Sequence, residues 1–320
     1  MTDWQPSASL KLIRKRAKLY RLIREFFAQR KVMEVDTPVL SAAAVSDPYL
    51  YPMRTEYQGP GTVNETPLYL QTSPEYPMKR LLAAGSGAIY QLAKAFRNGE
   101  SGAMHNPEFC MLEWYRPGFN DHKLMDEVAA LVQLTIGCGR SEKLSYRELF
   151  QRYLDIDPHQ ATVAELKSVA EERLELSTTM DDRDGWLNLL ISHLIEPKLR
   201  QPTFIYDYPA SQAALARVET DSEGVAIARR FELYVGGVEL ANGYFELVDS
   251  TEQACRFEAD QRHRQQLGIE SLPTDHRLVE ALEAGLPSCA GVALGVDRLL
   301  MLATGATHIN EVMAFPLDRA

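Results

Sequence analysis

Cysteine is scarce and scattered in this chain of 320 residues. Cys110, Cys138, Cys255 and Cys289 never approach CxxC spacing, which excludes a zinc knuckle and a disulfide scaffold as organising devices. The N-terminus lacks a signal-peptide core, and no apolar run nears membrane-spanning length, so neither secretion nor a membrane partner is expected. Positive charge is also in deficit. A formal charge of -10 argues against broad nonspecific nucleic-acid binding, which needs a cationic surface that releases counterions, but leaves room for local basic patches. What remains is 45% hydrophobic, with 17 prolines and 19 glycines. That composition fits a soluble cytoplasmic protein with a large core, as one extended domain or two small ones.

In chain order, residues 1–9 read as a flexible leader, and Ser9 caps a helix in which Ile13, Ala17, Tyr20, Ile23 and Phe27 recur at helical spacing. Nine Lys and Arg residues between 11 and 31 surround that stripe, as a solvated face or as a docking surface for an acidic partner. Val32 to Thr37 reads as a short strand stopped by Pro38, and residues 41–67 as irregular excursions. After the strand LYLQ, Ser73 caps a helix with Pro74 at its first position and Glu75 in its first turn. Ile89 to Phe96 is a strand, His122 to Cys138 a helix, and residues 145–200 hold several more helices. Strands follow from Thr203 and from Phe231, and helices over 251–267 and after Pro273.

Three stretches carry the chemistry. Phe96 to Tyr115 reads as a hairpin with Arg97 at the end of its incoming strand and Phe109, Met111, Glu113 and Tyr115 on one face of its returning strand. A cation, an aromatic ring, a carboxylate and a phenol on one face suit a pocket for a polar ligand better than a plain core. The second stretch turns at Gly236-Gly237, a favoured hairpin pair; with Val235 opposite Val238, Tyr234 faces Glu239 and Glu232 is its diagonal neighbour. Two acids that close need a cation between them, either a divalent ion on a polyphosphate or an arginine bridge. Asn242, Tyr244 and Glu246 alternate further along, a row that suits an ammonium group. In the third, Arg298 lies in the first turn of a helix after Gly295, against the dipole preference, so it needs an anionic neighbour such as phosphate or an exposed position.

These stretches resemble motif 2, the connected acidic strand and motif 3 of the class II aminoacyl-tRNA synthetases, and FFAQRKVMEVDTPVL resembles motif 1. TSPE, MHNPEF, MLEWY, GGVELANGYFEL and GVDRL are most similar to the lysine branch, over nearly the whole chain. The resemblance implies an α+β fold, an antiparallel sheet flanked by helices, over residues 10–320 with a helical insertion at about 145–200. The chain begins almost at motif 1, where a lysyl-tRNA synthetase carries an anticodon-binding domain. A core without that domain resembles the branch that joins beta-lysine to a lysine of translation elongation factor P, and Ala241, where a synthetase usually has glycine, points the same way.

Carried over by position, the resemblance implies ATP and Mg2+ as cofactors. Arg97 would bridge the substrate carboxylate and the α-phosphate, Phe109 would stack on adenine, and Arg298 would reach the γ-phosphate end. Asn98, Gly99, Glu100, His105, Asn106, Leu240 and Gly295 would complete the nucleotide site, and Glu232 and Glu239 would hold magnesium. Ser73, Pro74, Glu75, Glu113, Tyr115, Ala241, Asn242, Tyr244 and Glu246 would form the amino-acid pocket. The implied partners are elongation factor P as acceptor, beta-lysine supplied by a lysine 2,3-aminomutase-type enzyme, and a second copy of the chain meeting residues 12–40, without stable tRNA binding. The chain departs from the family pattern at Gly99, where glutamate is usual, and at Met104, where a synthetase usually has arginine. Two alternatives stay open: a truncated synthetase-like enzyme that activates α-lysine for tRNA or a small acceptor, and a silent regulatory paralogue. Retention of Arg97, Glu232, Glu239 and Arg298 weighs against the latter.

Overall fold

A computed structural model describes residues 4–59, 67–175, 180 and 182–320. The first three residues of the expected leader, residues 60–66 of the irregular stretch, and residues 176–179 and 181 of the helical block lie outside them. The chain forms two compact units, Met1–Phe119 with Val248–Ala320, and Asn120–Leu247.

In the first unit the strands run in the order Met33–Glu34, Ile89–Phe96, Glu108–Pro117 and Cys289–Gly295, antiparallel except for the first pair. The expected strand over 32–37 is thus only two residues long. Helix Leu10–Gln29 starts at Ser9, whose hydroxyl accepts the Leu12 N–H. Its buried stripe is Leu19, Ile23, Phe26 and Phe27; Ala17, expected inside, is exposed. Phe27 stacks on Tyr90 with centroids 4.3 Å apart and meets Trp114 edge-on at 5.4 Å. Tyr90 and Trp114 are directly paired across their strands, so the helix covers the face opposite Glu113 and Tyr115. Each large side chain buried there contributes about 1.5–3 kcal/mol. The expected flexible leader is tied down at its end, where the Ser7 and Ala8 N–H groups donate to the carbonyls of Ala314 and Met313.

In the second unit the order is Val238–Phe245, Ala226–Val235, Thr203–Pro209 and Glu142–Ser145, with Val218–Thr220 also pairing with Ala226–Val235. Only Glu142–Ser145 runs parallel to its neighbour. Helix Asp121–Ile136 is capped by Asn120 and ends at Gly137, left-handed at φ 66°. The helical block is Tyr146–Leu154, Val163–Arg173 and Arg183–Leu190, the first two opened by full capping boxes. Its last helix widens into a π turn at Ile191–Ile195 before Pro197 ends it. Tyr146, Phe150, Trp186, Leu187 and Leu190 build a core that includes Tyr208 and Tyr234 of the strands.

Candidate active site

The central hairpin of the first unit pairs from Phe96 opposite Glu108 to Ile89 opposite Tyr115. Phe109, Met111, Glu113 and Tyr115 therefore share one face. On one side they have Ala95, Ala93, Gln91 and Ile89, and on the other Gly295, Ala293 and Gly291 lie opposite Met111, Glu113 and Tyr115. Small residues thus flank Met111 on both sides, and Glu113 and Tyr115 on the Cys289–Gly295 side of this face. Glu113 and Tyr115 are buried there, and the Tyr115 hydroxyl donates to Glu113 at 2.6 Å.

Arg97 lies at the rim, its guanidinium 5.2 Å from the Phe109 ring centroid and 3.7 Å from the Glu100 carboxylate. Gly99 has φ +84°, a left-handed conformation that a glutamate there would adopt only under strain, and the carboxylate beside Arg97 is supplied one residue later by Glu100. The exposed Asn98 donates its backbone N–H to Tyr51 at 2.7 Å. Across the hairpin tip, Arg298 Nη2 lies 2.6 Å from His105 Nε2. Partial burial, and then the positive charge of Arg298, hold the imidazole below its ordinary pKa. Neutral at pH 7, it accepts from the guanidinium. The Arg298 guanidinium thus meets an imidazole across the hairpin tip. The Asn106 amide is engaged at both ends, donating to the Glu108 carbonyl at 2.6 Å and accepting the Leu317 N–H at 3.1 Å.

The helix expected to be capped by Ser73 begins at Glu75, with Pro74 as its cap and no side-chain capping bond from it. The Ser73 hydroxyl still accepts the Glu75 N–H, at 3.4 Å. Glu75 takes a 2.7 Å bond from Lys79, a lysine only 1% exposed that sequence reasoning missed despite its i,i+4 spacing.

In the second unit Gly236 and Gly237 both have positive φ, and Tyr234 faces Glu239 as expected. The pairing then shifts by one residue: Leu233 lies opposite Ala241 and Glu232 opposite Asn242, leaving Leu240 as the extra residue. This bulge brings Asn242 and Tyr244 onto the same face as Glu232 and Glu239, where strict alternation would have separated the two rows. It places Ala241 on the other face, opposite the buried Leu233 and next in sequence to Asn242. Glu246 is buried just beyond the strand, bridged to Ala216.

Of the two alternatives left open for Glu232, its contacts are those of the arginine bridge. One oxygen accepts from Arg230 at 2.5 Å, and the other lies 2.8 Å from the hydroxyls of both Tyr208 and Tyr234. Arg230 also reaches Asn242 at 3.3 Å, and Asn242 donates to the Tyr244 hydroxyl at 3.1 Å. Alternation two residues before Glu232 was the available signal for Arg230; only tertiary packing brings Tyr208. Magnesium requires oxygen ligands. The half-buried Glu239 offers a suitable carboxylate, on the same face as Glu232, which accepts from Arg230. A cavity of about 500 Å³ in this unit, lined in part by Val132, Cys138, Arg140, Phe204 and Leu233, lies on the Leu233 side of the sheet, away from this acidic face.

The family described as tRNA synthetases class II (D, K and N) matches residues 1–319. Elongation factor P–(R)-beta-lysine ligase of Vibrio cholerae is 53% identical over 100% of this chain and 99% of its own length. The proteins of that name from Proteus mirabilis and Photobacterium profundum are 54% and 50% identical, over 100% and 99% of this chain and 99% of each relative. Such identity along full lengths covers the hairpin, the acidic strand and the Arg298 helix together. The chain therefore belongs to the class II tRNA synthetases and, within them, to the family of the elongation factor P–(R)-beta-lysine ligases.

Proposed function

We propose that this chain activates (R)-beta-lysine with ATP as an aminoacyl-adenylate and transfers it to the ε-amino group of a lysine on elongation factor P. The observation that carries the reading is the shared face of Phe109, Glu113 and Tyr115 beside Arg97, in a chain with full-length similarity to ligases of that name. In the first step the substrate carboxylate attacks the α-phosphorus in line, the new P–O bond forms and pyrophosphate leaves. A carboxylate is already ionised at neutral pH, so no general base is needed. Phe109 stacks on adenine, Arg97 orients the carboxylate and stabilises charge on the α-phosphate, and Arg298 leaves His105 for the γ-phosphate end. Glu239 would hold magnesium, which would supply neutralisation of phosphate charge. Glu75 and Glu113 supply the carboxylates of the first unit that recognise substrate ammonium. In the second step a deprotonated lysine amine attacks the mixed anhydride, the amide bond forms and AMP leaves.

The protein works in the cytoplasm as a homodimer, on beta-lysine made by an aminomutase-type enzyme and without stable tRNA binding. The test incubates it with ATP, magnesium, purified elongation factor P and either lysine isomer, followed by mass spectrometry of the acceptor. One added beta-lysyl group on a single lysine is expected. An unmodified acceptor together with α-lysylated tRNA in a parallel reaction would replace this reading with the synthetase one.

A further inference from the structure

Arg16 belongs to none of the stretches assigned to substrate or nucleotide, yet it reaches the element that carries Arg298. From helix Leu10–Gln29 its Nη2 bonds to Oδ1 of Asp297 and, at 2.9 Å, to the carbonyl of Val312, and its Nη1 bonds to the Tyr20 hydroxyl at 3.3 Å. Asp297 is 3% exposed, and its other oxygen accepts the backbone N–H of Cys110 at 2.7 Å. That bond forms where the strand ladder ends, one residue beyond the pairing of Met111 with Gly295. Cys110 follows Phe109 directly, and Asp297 directly precedes Arg298 in the first turn of helix Val296–Thr304. One buried carboxylate thus spans the strand that presents Phe109 and the helix that presents Arg298.

A carboxylate in the first turn of a helix is favoured by the dipole, but burying a charge this deeply is costly unless a cation is hydrogen-bonded to it. Arg16 supplies that cation and, through Val312, holds the segment beyond the helix as well. We propose that Arg16 is a positioning residue of the nucleotide site, setting the separation of Phe109 and Arg298 through Asp297. The inference rests on the reading of Phe109 and Arg298 as nucleotide contacts.

ATP–pyrophosphate exchange with beta-lysine tests it, with KM for ATP and for the amino acid measured separately in Arg16→Met, Arg16→Lys, Phe109→Ala and Arg298→Ala. Arg16→Met should raise KM for ATP about tenfold while KM for the amino acid stays within about twofold, and Arg16→Lys should fall between it and the parent. The double variant Arg16→Met/Asp297→Asn, which removes both charges, should regain thermal stability while KM for ATP stays high. A lower melting temperature and active fraction with both KM values unchanged would reduce Arg16 to a fold-stabilising residue and overturn the proposal. If Arg16→Met does not fold, an unchanged KM for ATP in Arg16→Lys overturns it equally. Raised KM for ATP in Phe109→Ala and Arg298→Ala alone would sink only this inference, whereas unchanged values in those two would sink the nucleotide reading beneath it.

Discussion

Glu232 and Glu239 look equivalent as two acids beside a Gly-Gly turn, yet their side chains meet different groups. Glu232 is held by Arg230, Tyr208 and Tyr234, so Glu232→Gln leaves a half-buried arginine short of its counter-charge. A cost on the order of 2–4 kcal/mol is expected, read as a lower urea midpoint, with the magnesium requirement unchanged. Glu239→Gln should do the reverse: near-parental stability, and a higher magnesium concentration for half-maximal pyrophosphate exchange. If Glu232→Gln also raises that concentration, Arg230 gives way to the metal and both acids are ligands. Ala241 changes meaning for a similar reason. Its side chain lies opposite Leu233, so Ala241→Gly should leave the ratio of kcat/KM for the two lysine isomers unaltered and cost roughly 0.5–1 kcal/mol in strand stability. A ratio shifted toward α-lysine would restore it as a specificity element.

Among the elements, strand Ala226–Val235 is irregular on both sides: its pairing slips against Val238–Phe245 near Leu240 and against Thr203–Pro209 between Ala228 and Phe231. At the second slip the consecutive residues Arg229 and Arg230 go to different acids, Arg229 to Asp121 at 2.6 Å and Arg230 to Glu232. Asp207 sits there with φ +56° and only a long 3.9 Å approach to Arg229. Burial, opposed by Arg229 and aided by Asp121, Asp221 and Glu219, pushes its carboxyl up to about 6. Since the folded value lies above the unfolded value of about 4, the fold holds a proton between those pH values that the unfolded chain has lost. Asp207 therefore favours folding less as pH rises from about 4 to about 6, and stays unfavourable above. Asp207→Asn, which also tolerates the left-handed backbone, should stabilise the protein by about 1–3 kcal/mol at pH 7.5 and hardly at pH 4. Denaturant melts at the two pH values check this; equal shifts at both would mean that the carboxyl is ionised throughout.

At the scale of the molecule, Met33 and Leu40 are 50% and 47% exposed on the stretch that resembles motif 1. Large apolar side chains left in water along one stretch fit a surface covered by a second copy. Light scattering at micromolar concentration should give a dimer, and Met33→Glu/Leu40→Glu should shift it toward monomer and lower exchange activity. A parent protein that scatters as a monomer would remove the dimer from the proposal. Among the described residues no helix is long and apolar enough to cross a membrane.

Where local chemistry decides, the sequence by itself determined the outcome. Ser9 caps its helix, Gly236-Gly237 turns its hairpin, and unbroken alternation places Phe109, Met111, Glu113 and Tyr115 on one face, because period-two geometry and turn conformation are encoded within a few residues. Where the answer depends on which distant group arrives, only the tertiary structure decided. The bulge at Leu240, which joins Glu239 to the Asn242 row, leaves no periodic signature of its own in the sequence. The choice of Arg230 and Tyr208 for Glu232, and of His105 for Arg298, required strands and a helix remote in sequence to meet. Arg16 read as one of nine cations on a basic helix, and its pairing with Asp297, 281 residues away, exists because burial of that carboxylate demands a cation and folding delivers this one.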